Sequence, residues 1–418
     1  MVGLKSMQKV IVIGGGVVGI SCALKLQDDG YDVTVLEPGQ PGEGASWASC
    51  GSIAVSEVVP LSKPGTLRRA PGWMLDPAGP LTLRAGSALR VLPWFLRFAG
   101  NARPSRIEAI SREISVLTRT ALVDTQALLA SLGLSGLLRH QPVIELYDSA
   151  RDLEHERAFH DARRALGFEL EEISGAQAAE MEPSIAADFA RAVVLKDWRS
   201  VVDAKRFVAE LHRVFVERGG QVRHISAQGF AREDQKVVAV QDDRGDTHVA
   251  DQFVISAGAH SRRLAAELDC SIQMEGVIGY QTSFDDPGVK VEHGLIYAKG
   301  GFGITPYESG LAVAGSIEFA HLDAQPNWKR ADILVQKAKR VLPGLKTEDG
   351  LRRFGRRPLT PDTKPIIDRI PGIENVMLAT GHGQLGVTLA ATTGRLISDM
   401  ITGRPLPLDM AAYRVDRF

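Results

Sequence analysis

The chain has 418 residues, 44% hydrophobic and 24% charged, with a formal net charge of −1. Such a length exceeds what one core usually serves and points to two domains, or one cofactor domain with a large insertion. The near-zero charge provides no global field for nucleic acid, and three scattered cysteines without metal-ligand spacing argue for a reduced, cytoplasmic chain with no metal centre.

Lys5 and Lys9 precede an apolar run that resembles a signal peptide, but three consecutive glycines break it and a patterned helix follows. No stretch is long and apolar enough to span a bilayer. Val10-Ile11-Val12-Ile13 is the short β-branched run of a buried parallel strand. It enters a GxGxxG motif on Gly14, Gly16 and Gly19, then a helix expected over Val18–Asp29 and stopped by Gly30. A second strand, Asp32–Leu36, ends at Glu37. In this context the first glycine makes the tight turn, the second admits a pyrophosphate, and the third packs helix on strand. The helix N-terminus offers free N–H groups to phosphate, and Glu37 stands where an acid holds ribose hydroxyls. FAD and NAD both satisfy the motif. The next segment, Pro38-Gly39 and then Gly42–Ile53, is a long run of small residues without strand or helix period. Such a loop can follow an extended ligand across the sheet, which favours FAD.

Val58–Pro104 is rich in Pro, Gly and Trp, and Pro71-Gly72-Trp73 and Asp76-Pro77 read as turns. Within it Ala88–Phe98 reads as a helix packed on the protein body, with a lipid-touching surface as the alternative. An amphipathic helix over Ile107–Leu132 ends at Gly133, a strand follows at Gln141–Tyr147, and Leu153–Leu166 is a charged helix. Strand Val193–Leu195, helix Asp203–Arg218, strand Gln221–Ile225 and a hairpin about Arg244-Gly245 come next. Asp251–Ala259 is a buried strand ending in small residues, a second place where backbone meets a dinucleotide. Gly276–Asp285, Leu295–Ile304 and Leu311–Ile317 suggest an antiparallel sheet, and Ala331–Leu342 a helix. Strand Asn375–Thr380 meets Gly381-His382-Gly383-Gln384-Leu385-Gly386, and a helix with small residues runs over Val387–Thr402. The cofactor domain is therefore expected to be discontinuous (7–60, 190–262 and 350–418), with 61–189 and 263–349 forming the substrate domain.

These segments resemble the D-amino-acid oxidase superfamily (DAO family) of flavoproteins, which includes glycine and sarcosine oxidases. The chain is most similar to its bacterial FAD-dependent D-amino acid dehydrogenase group. The resemblance covers essentially the whole chain. It rests on Val10–Glu37, Ser46–Ile53, Val254–Ser261, Arg357-Pro358-Leu359-Thr360-Pro361-Asp362 with Pro365, and Thr380–Gly386, joined by Pro71–Asp76. Three positions depart from the family pattern: Ser49-Cys50-Gly51 replaces Asn-Ala-Gly, Thr363 stands where Gly is usual, and His260 where Trp is common.

The resemblance implies an α/β + α fold: a Rossmann-like, GR2-type FAD-binding domain with a discontinuous substrate domain on an antiparallel sheet. It implies noncovalent FAD, held by Gly14, Gly16, Val17, Val18, Gly19 and Glu37. The Ser46 loop would add Ala45, Ser46, Ser49, Cys50, Gly51 and Ser52. Ala257 and Gly258, and then Gly381, Gly383, Gln384, Leu385, Gly386 and Thr388, would complete the contacts. The chemistry implied is hydride transfer from the Cα of an amino acid to flavin N5, giving an imine and then a 2-oxo acid, with the protein supplying position and electrostatics.

Arg357, the Arg of the Arg-Pro motif, is the candidate to fork onto the substrate carboxylate, with Arg353 and Arg356 as neighbours. The helix after Gly386 would steady negative charge on the ring. Tyr280 is a candidate substrate contact and His382 a flavin neighbour. The substrate expected is a small D-amino acid or cyclic imino acid. The alternatives are a glycine, sarcosine or hydroxyproline oxidase using oxygen, or a flavin subunit of a larger dehydrogenase. The acceptor expected is a quinone or other carrier, with oxygen as the alternative, and the site of action the cytoplasm or the periphery of the inner membrane.

Overall fold

The computed structural model describes residues 7–76 and 78–418. Lys5 and Pro77, part of the expected Asp76-Pro77 turn, lie outside them. In chain order the elements that build the site begin with β1 (Lys9–Ile13), α1 (Val17–Asp28), β2 (Asp32–Leu36), α2 (Pro64–Leu75), β3 (Leu81–Leu83), α3 (Ala88–Gly100) and α4 (Pro104–Ser131). Next come β4 (Val143–Tyr147), α5 (Ala150–Ala165), β5 (Leu170–Ser174), β6 (Arg191–Leu195), α6 (Ala204–Glu217), β7 (Gln221–Arg223) and β8 (Gln252–Ile255). The third group is β9 (Glu275–Phe284), β10 (Gly294–Tyr297), β11 (Phe302–Tyr307), β12 (Gly310–Phe319) and α7 (Trp328–Val341). The chain closes with β13 (Leu351–Leu359), β14 (Ile366–Arg369), β15 (Val376–Thr380) and α8 (Gly386–Thr402).

The first sheet has six strands in the order β7-β2-β1-β8-β15-β14. All its pairs are parallel except β14 with β15. Its central strands are apolar on both faces, as a sheet covered on two sides requires. Val10, Val12 and Val35 enter one core with α1, α6 and α8, while Ile11, Ile13 and Ile255 enter another on the opposite face. Helix α8 lies so close to α1 that a Cβ on Gly394 would stand 2.6 Å from the Ser21 carbonyl oxygen. The small residues of α8 thus serve close helix packing.

The second sheet has nine strands, β13-β9-β12-β11-β10-β4-β6-β5, with β3 beside β12. It is antiparallel apart from the β4–β10 and β3–β12 pairs. Strands β6 and β13 belong here, although the expected boundaries at 190 and 350 assigned them to the cofactor domain. Leu295–Ile304 is not one strand but the hairpin β10–β11, because Gly301 adopts a positive φ of 66° between them. Pro71-Gly72-Trp73 is not a turn but lies within α2. Leu67, Ala70 and Trp73 recur at three-residue spacing on the half-buried face that joins the apolar cluster of β3 and α3, so tertiary packing overrides the local preference. Among the described residues no helix is long and apolar enough to cross a membrane.

Candidate active site

A cavity of about 650 Å³ runs between the two sheets, a volume suited to a cofactor-sized ligand. At one end the chain leaves β1 through Gly14, whose φ is 106°. A Cβ there would meet Ser256 O at 2.6 Å. Gly19 sits inside α1, where a Cβ would collide with the Gly14 carbonyl. Neither position accepts a side chain, and the result is bare backbone at the start of α1, with no acidic residue in its first turn.

Glu37 lies on the same wall. Its Oε2 accepts from Gly15 N at 2.7 Å and its Oε1 from Gly39 N at 3.1 Å. Burial lifts its pKa above the usual carboxylate value, against the pull of those two N–H groups. From the other side His212 Nε2 hydrogen-bonds Gly15 O at 2.8 Å. The Gly15 peptide is held through both its polar groups, and the sequence reading missed His212 because α6 is remote along the chain. Ser46 Oγ accepts from Val17 N at 3.0 Å, tying the small-residue loop to the first turn of α1.

The wall continues through Gly16, Val18, Ala45, Ser46 and Ser49 on one side and Ala257 and Gly258 on another, reaching Gly383, Gln384 and Gly386. Gly355 of β13 closes against the loop, where a Cβ would stand 2.5 Å from Ala45 Cα. The remaining expected cofactor residues stand behind the wall and shape it. Cys50 Sγ packs near Ala314 O at 3.7 Å, with its thiol pKa pushed up by burial, and Thr305 Oγ1 donates to Cys50 O at 2.9 Å. Gly51 takes a φ of 64°, and Ser52 O accepts from Thr388 Oγ1 at 3.2 Å. Gly381 (φ 74°) makes the turn out of β15, and Leu385 is buried as α8 begins. Ser49 O accepts from Gln281 Nε2 at 2.8 Å and from the Tyr307 hydroxyl at 3.1 Å, two supports the sequence reading did not find.

Arg357 reaches the far end of the cavity from β13. Its Nη1 donates to Ser316 O at 2.8 Å. Burial holds its pKa below the ordinary arginine value, and Cys50, the one group that offsets this, is a neutral thiol. No described carboxylate forms an ion pair with it. Its neighbours on the cavity wall have no described ion pair either: Arg353 donates to Ser283 Oγ at 2.9 Å and Arg356 to Ala324 O at 2.7 Å, but Arg357 is the most desolvated of the three. A half-buried cation on a cavity wall without a counter-charge suits an anionic ligand, because desolvating it unpaired is costly.

His382 is on the wall but is 2% exposed, hydrogen-bonded by Nε2 to Thr393 Oγ1 at 2.9 Å. Burial pushes its pKa down to about 3, so it is neutral at physiological pH and serves as a packed support. Tyr280 is not brought to the cavity. It lies on the opposite face of β9, with its hydroxyl bonded to Glu318 and accepting from Asn327 N at 2.8 Å. The next residue, Gln281, points to the cavity loop instead, as strand alternation requires. Bare backbone at a helix start and a carboxylate after the second strand, on the wall of one cavity of this volume, suit the phosphates and ribose of FAD.

The family model described as FAD dependent oxidoreductase (DAO) matches residues 9–400. A D-amino-acid oxidase from Bradyrhizobium diazoefficiens is 27% identical over 416 residues, covering 98% of this chain and 98% of its own length. A D-amino acid dehydrogenase from Paramagnetospirillum magneticum is 28% identical over 429 residues, covering 98% and 99%. Among solved structures, glycine oxidase from Geobacillus kaustophilus superposes with a TM-score of 0.77 at 20% identity, over 99% of this chain and 100% of that one.

Proposed function

The chain belongs to the DAO family of FAD-dependent oxidoreductases, and from that premise we propose that it oxidises a small D-amino acid or cyclic imino acid at Cα. The observation that carries the reading is the half-buried Arg357 on the cavity wall, with no described carboxylate paired to it. FAD, when bound, supplies the hydride acceptor. Arg357 binds the substrate carboxylate through its fork and so orients the Cα–H. Glu37 takes the adenosine ribose, and the Gly14–Gly19 turn admits the pyrophosphate. The start of α8 stabilises negative charge arriving at the ring. His382, being neutral and bonded to Thr393, takes no proton. With the amine bound neutral no dedicated base is required, and the imine product hydrolyses to a 2-oxo acid. In this reading the first sheet with its helices holds the cofactor and the second sheet presents the substrate side; the proposed division is 7–60, 190–262 and 350–418 from 61–189 and 263–349, with β6 and β13 moved to the second sheet and α4 packed on α8 of the first.

For the acceptor we infer a quinone or other carrier at a membrane surface. Helix α3 buries Val91, Trp94 and Phe98 but exposes Leu89 (87%), Leu92 (49%) and Leu96 (66%), with Arg97 exposed beside them. An apolar stripe with basic flanks suits an interfacial helix. The deciding experiment for the function is a panel of D-, L- and imino acids with anaerobic bleaching of the flavin as readout. Failure of every amino and imino acid to bleach it would refute the reading. Glycine, sarcosine or hydroxyproline bleaching faster than any D-amino acid would favour the oxidase alternative.

A further inference from the structure

Arg357 depends on a residue whose backbone is strained. Between Ile278↔Glu318 and Tyr280↔Gly315 the β9–β12 register slips, so that Ser316 and Ile317 together oppose the single residue Gly279. Such a bulge turns one residue out of the ladder. Ser316 is that residue, at a φ of 65°. A left-handed serine persists only where its surroundings hold it, and such strain gathers at functional positions.

What holds Ser316 is Arg330 of α7, which is 6% exposed. Arg330 donates to Ser316 Oγ from Nε at 3.0 Å and from Nη2 at 2.9 Å. Its Nη2 also bonds the Gly79 carbonyl. The hydroxyl of Ser316 is therefore clamped from the outer face of the sheet. Its carbonyl is turned to the inner face, where it accepts from Arg357 Nη1 at 2.8 Å. Directly opposite, Gly279 leaves the space the guanidinium fills.

We propose that Ser316 and Arg330 are positioning residues that set the aim of Arg357 and thereby the affinity for the substrate carboxylate. The inference rests on the reading of Arg357 as the carboxylate clamp. One guanidinium N–H is committed to the Ser316 carbonyl. That bond fixes the tilt of the planar group and leaves the remaining donors to form the fork. Without the Arg330 tie the bulge peptide can rotate, and the fork loses its fixed direction while remaining present.

The test uses the FAD-loaded enzyme and three substitutions: Ser316→Gly, Ser316→Thr and Arg357→Ala. Glycine adopts positive φ freely, so Ser316→Gly keeps the bulge and removes only the hydroxyl. The readouts are KM and kcat for the preferred amino acid, and the inhibition constant of propionate, an unreactive carboxylate. Ser316→Gly should raise KM and the propionate constant together by roughly three- to tenfold, the size of one lost hydrogen bond, with kcat changed less than about threefold. Ser316→Thr keeps the hydroxyl but adds a β-branch to a left-handed backbone, so with normal FAD content it should stay closer than Ser316→Gly to the unmodified propionate constant. General damage to the fold would instead lower kcat and FAD content and leave the propionate constant unmoved. The inference is overturned if Ser316→Gly leaves the propionate constant unchanged while Arg357→Ala raises it; the clamp then stands without its support. If Arg357→Ala also leaves it unchanged, the clamp reading itself has failed, and the role of Ser316 with it.

Discussion

Gly279 and Arg357 lie on adjacent strands, and the guanidinium of Arg357 occupies the space where a Cβ on Gly279 would be. The glycine is thus a space requirement of the clamp. Because the colliding atoms are the end of a long side chain, Gly279→Ala should fold but displace the guanidinium. The expected loss in kcat/KM is about 2–4 kcal/mol, with FAD content preserved. Steady-state kinetics beside a flavin spectrum would test this, and normal kcat/KM in the alanine variant would refute it.

Arg357→Ala should lower kcat/KM by about 2–5 kcal/mol, mostly through KM, because the carboxylate is bound before and during hydride transfer. Arg357→Lys should recover only part, since an ammonium cannot fork. Arg356→Ala should be milder, because Arg356, though it borders the cavity, directs its guanidinium to Ala324 O. Kinetics on the amino acid and on the matching amine without a carboxylate would decide; equal turnover of the two by the unmodified enzyme sinks the idea.

Glu37→Ala removes the acceptor for both Gly15 N and Gly39 N, as well as the ribose partner. FAD should be lost on dilution and dialysis while circular dichroism remains unchanged. Glu37→Gln keeps one acceptor oxygen and should hold FAD better than the alanine variant. Full FAD occupancy in Glu37→Ala after dialysis would contradict the assignment.

His382 provides a pH prediction. Its pKa falls from an ordinary 6.5 to about 3 in the folded protein. The unfolded chain therefore takes up this proton first, so the contribution to stability is whole above pH 6.5 and is lost as the pH drops toward 3. The slope expected from one such group is about 1.4 kcal/mol per pH unit. Urea unfolding between pH 4 and 8 should show a shallower acid loss for His382→Gln than for the unmodified protein, with the pH dependence of kcat unaltered. Parallel slopes would refute the buried neutral assignment.

If α3 meets a membrane, Leu89→Asp with Leu96→Asp should abolish sedimentation with vesicles containing anionic lipid while leaving turnover with a soluble acceptor intact. Both side chains are exposed, so little stability should be lost. Equal vesicle binding by the double variant, or air reoxidation of the reduced enzyme as fast as turnover, would count against a membrane carrier.

The legible part of this protein is its short-range part. Val10 to Glu37 is contiguous, and its turn, helix start and second strand follow from residues within reach of one another, so the phosphate end could be read directly. Thr363 was visible as a departure from the family pattern, and the structure supplies the reason glycine is usual there. Its φ is 67°, and its hydroxyl accepts from Leu61 N at 3.2 Å, which offsets the strain. The Ser49–Gln281 and Gly15–His212 bonds join positions far apart in the chain, and no local pattern announces them.

The amino-acid sequence by itself determined the two glycine-rich strand-to-helix junctions, the carboxylate after the second strand and the Arg-Pro motif, because each is a conformational demand placed on a few neighbouring residues. Only the tertiary structure decided which side chains of the second sheet face the cavity. Glu275–Phe284 is buried on both faces, so no polar–apolar alternation reveals the phase of the strand, and Tyr280 and Gln281 differ by one residue and so point to opposite faces. The same ambiguity covers Arg353, Arg356 and Arg357. Arg357 is singled out only once β13 is set in register against β9, with Gly279 leaving room for its guanidinium and the bulged Ser316 turning a carbonyl toward it.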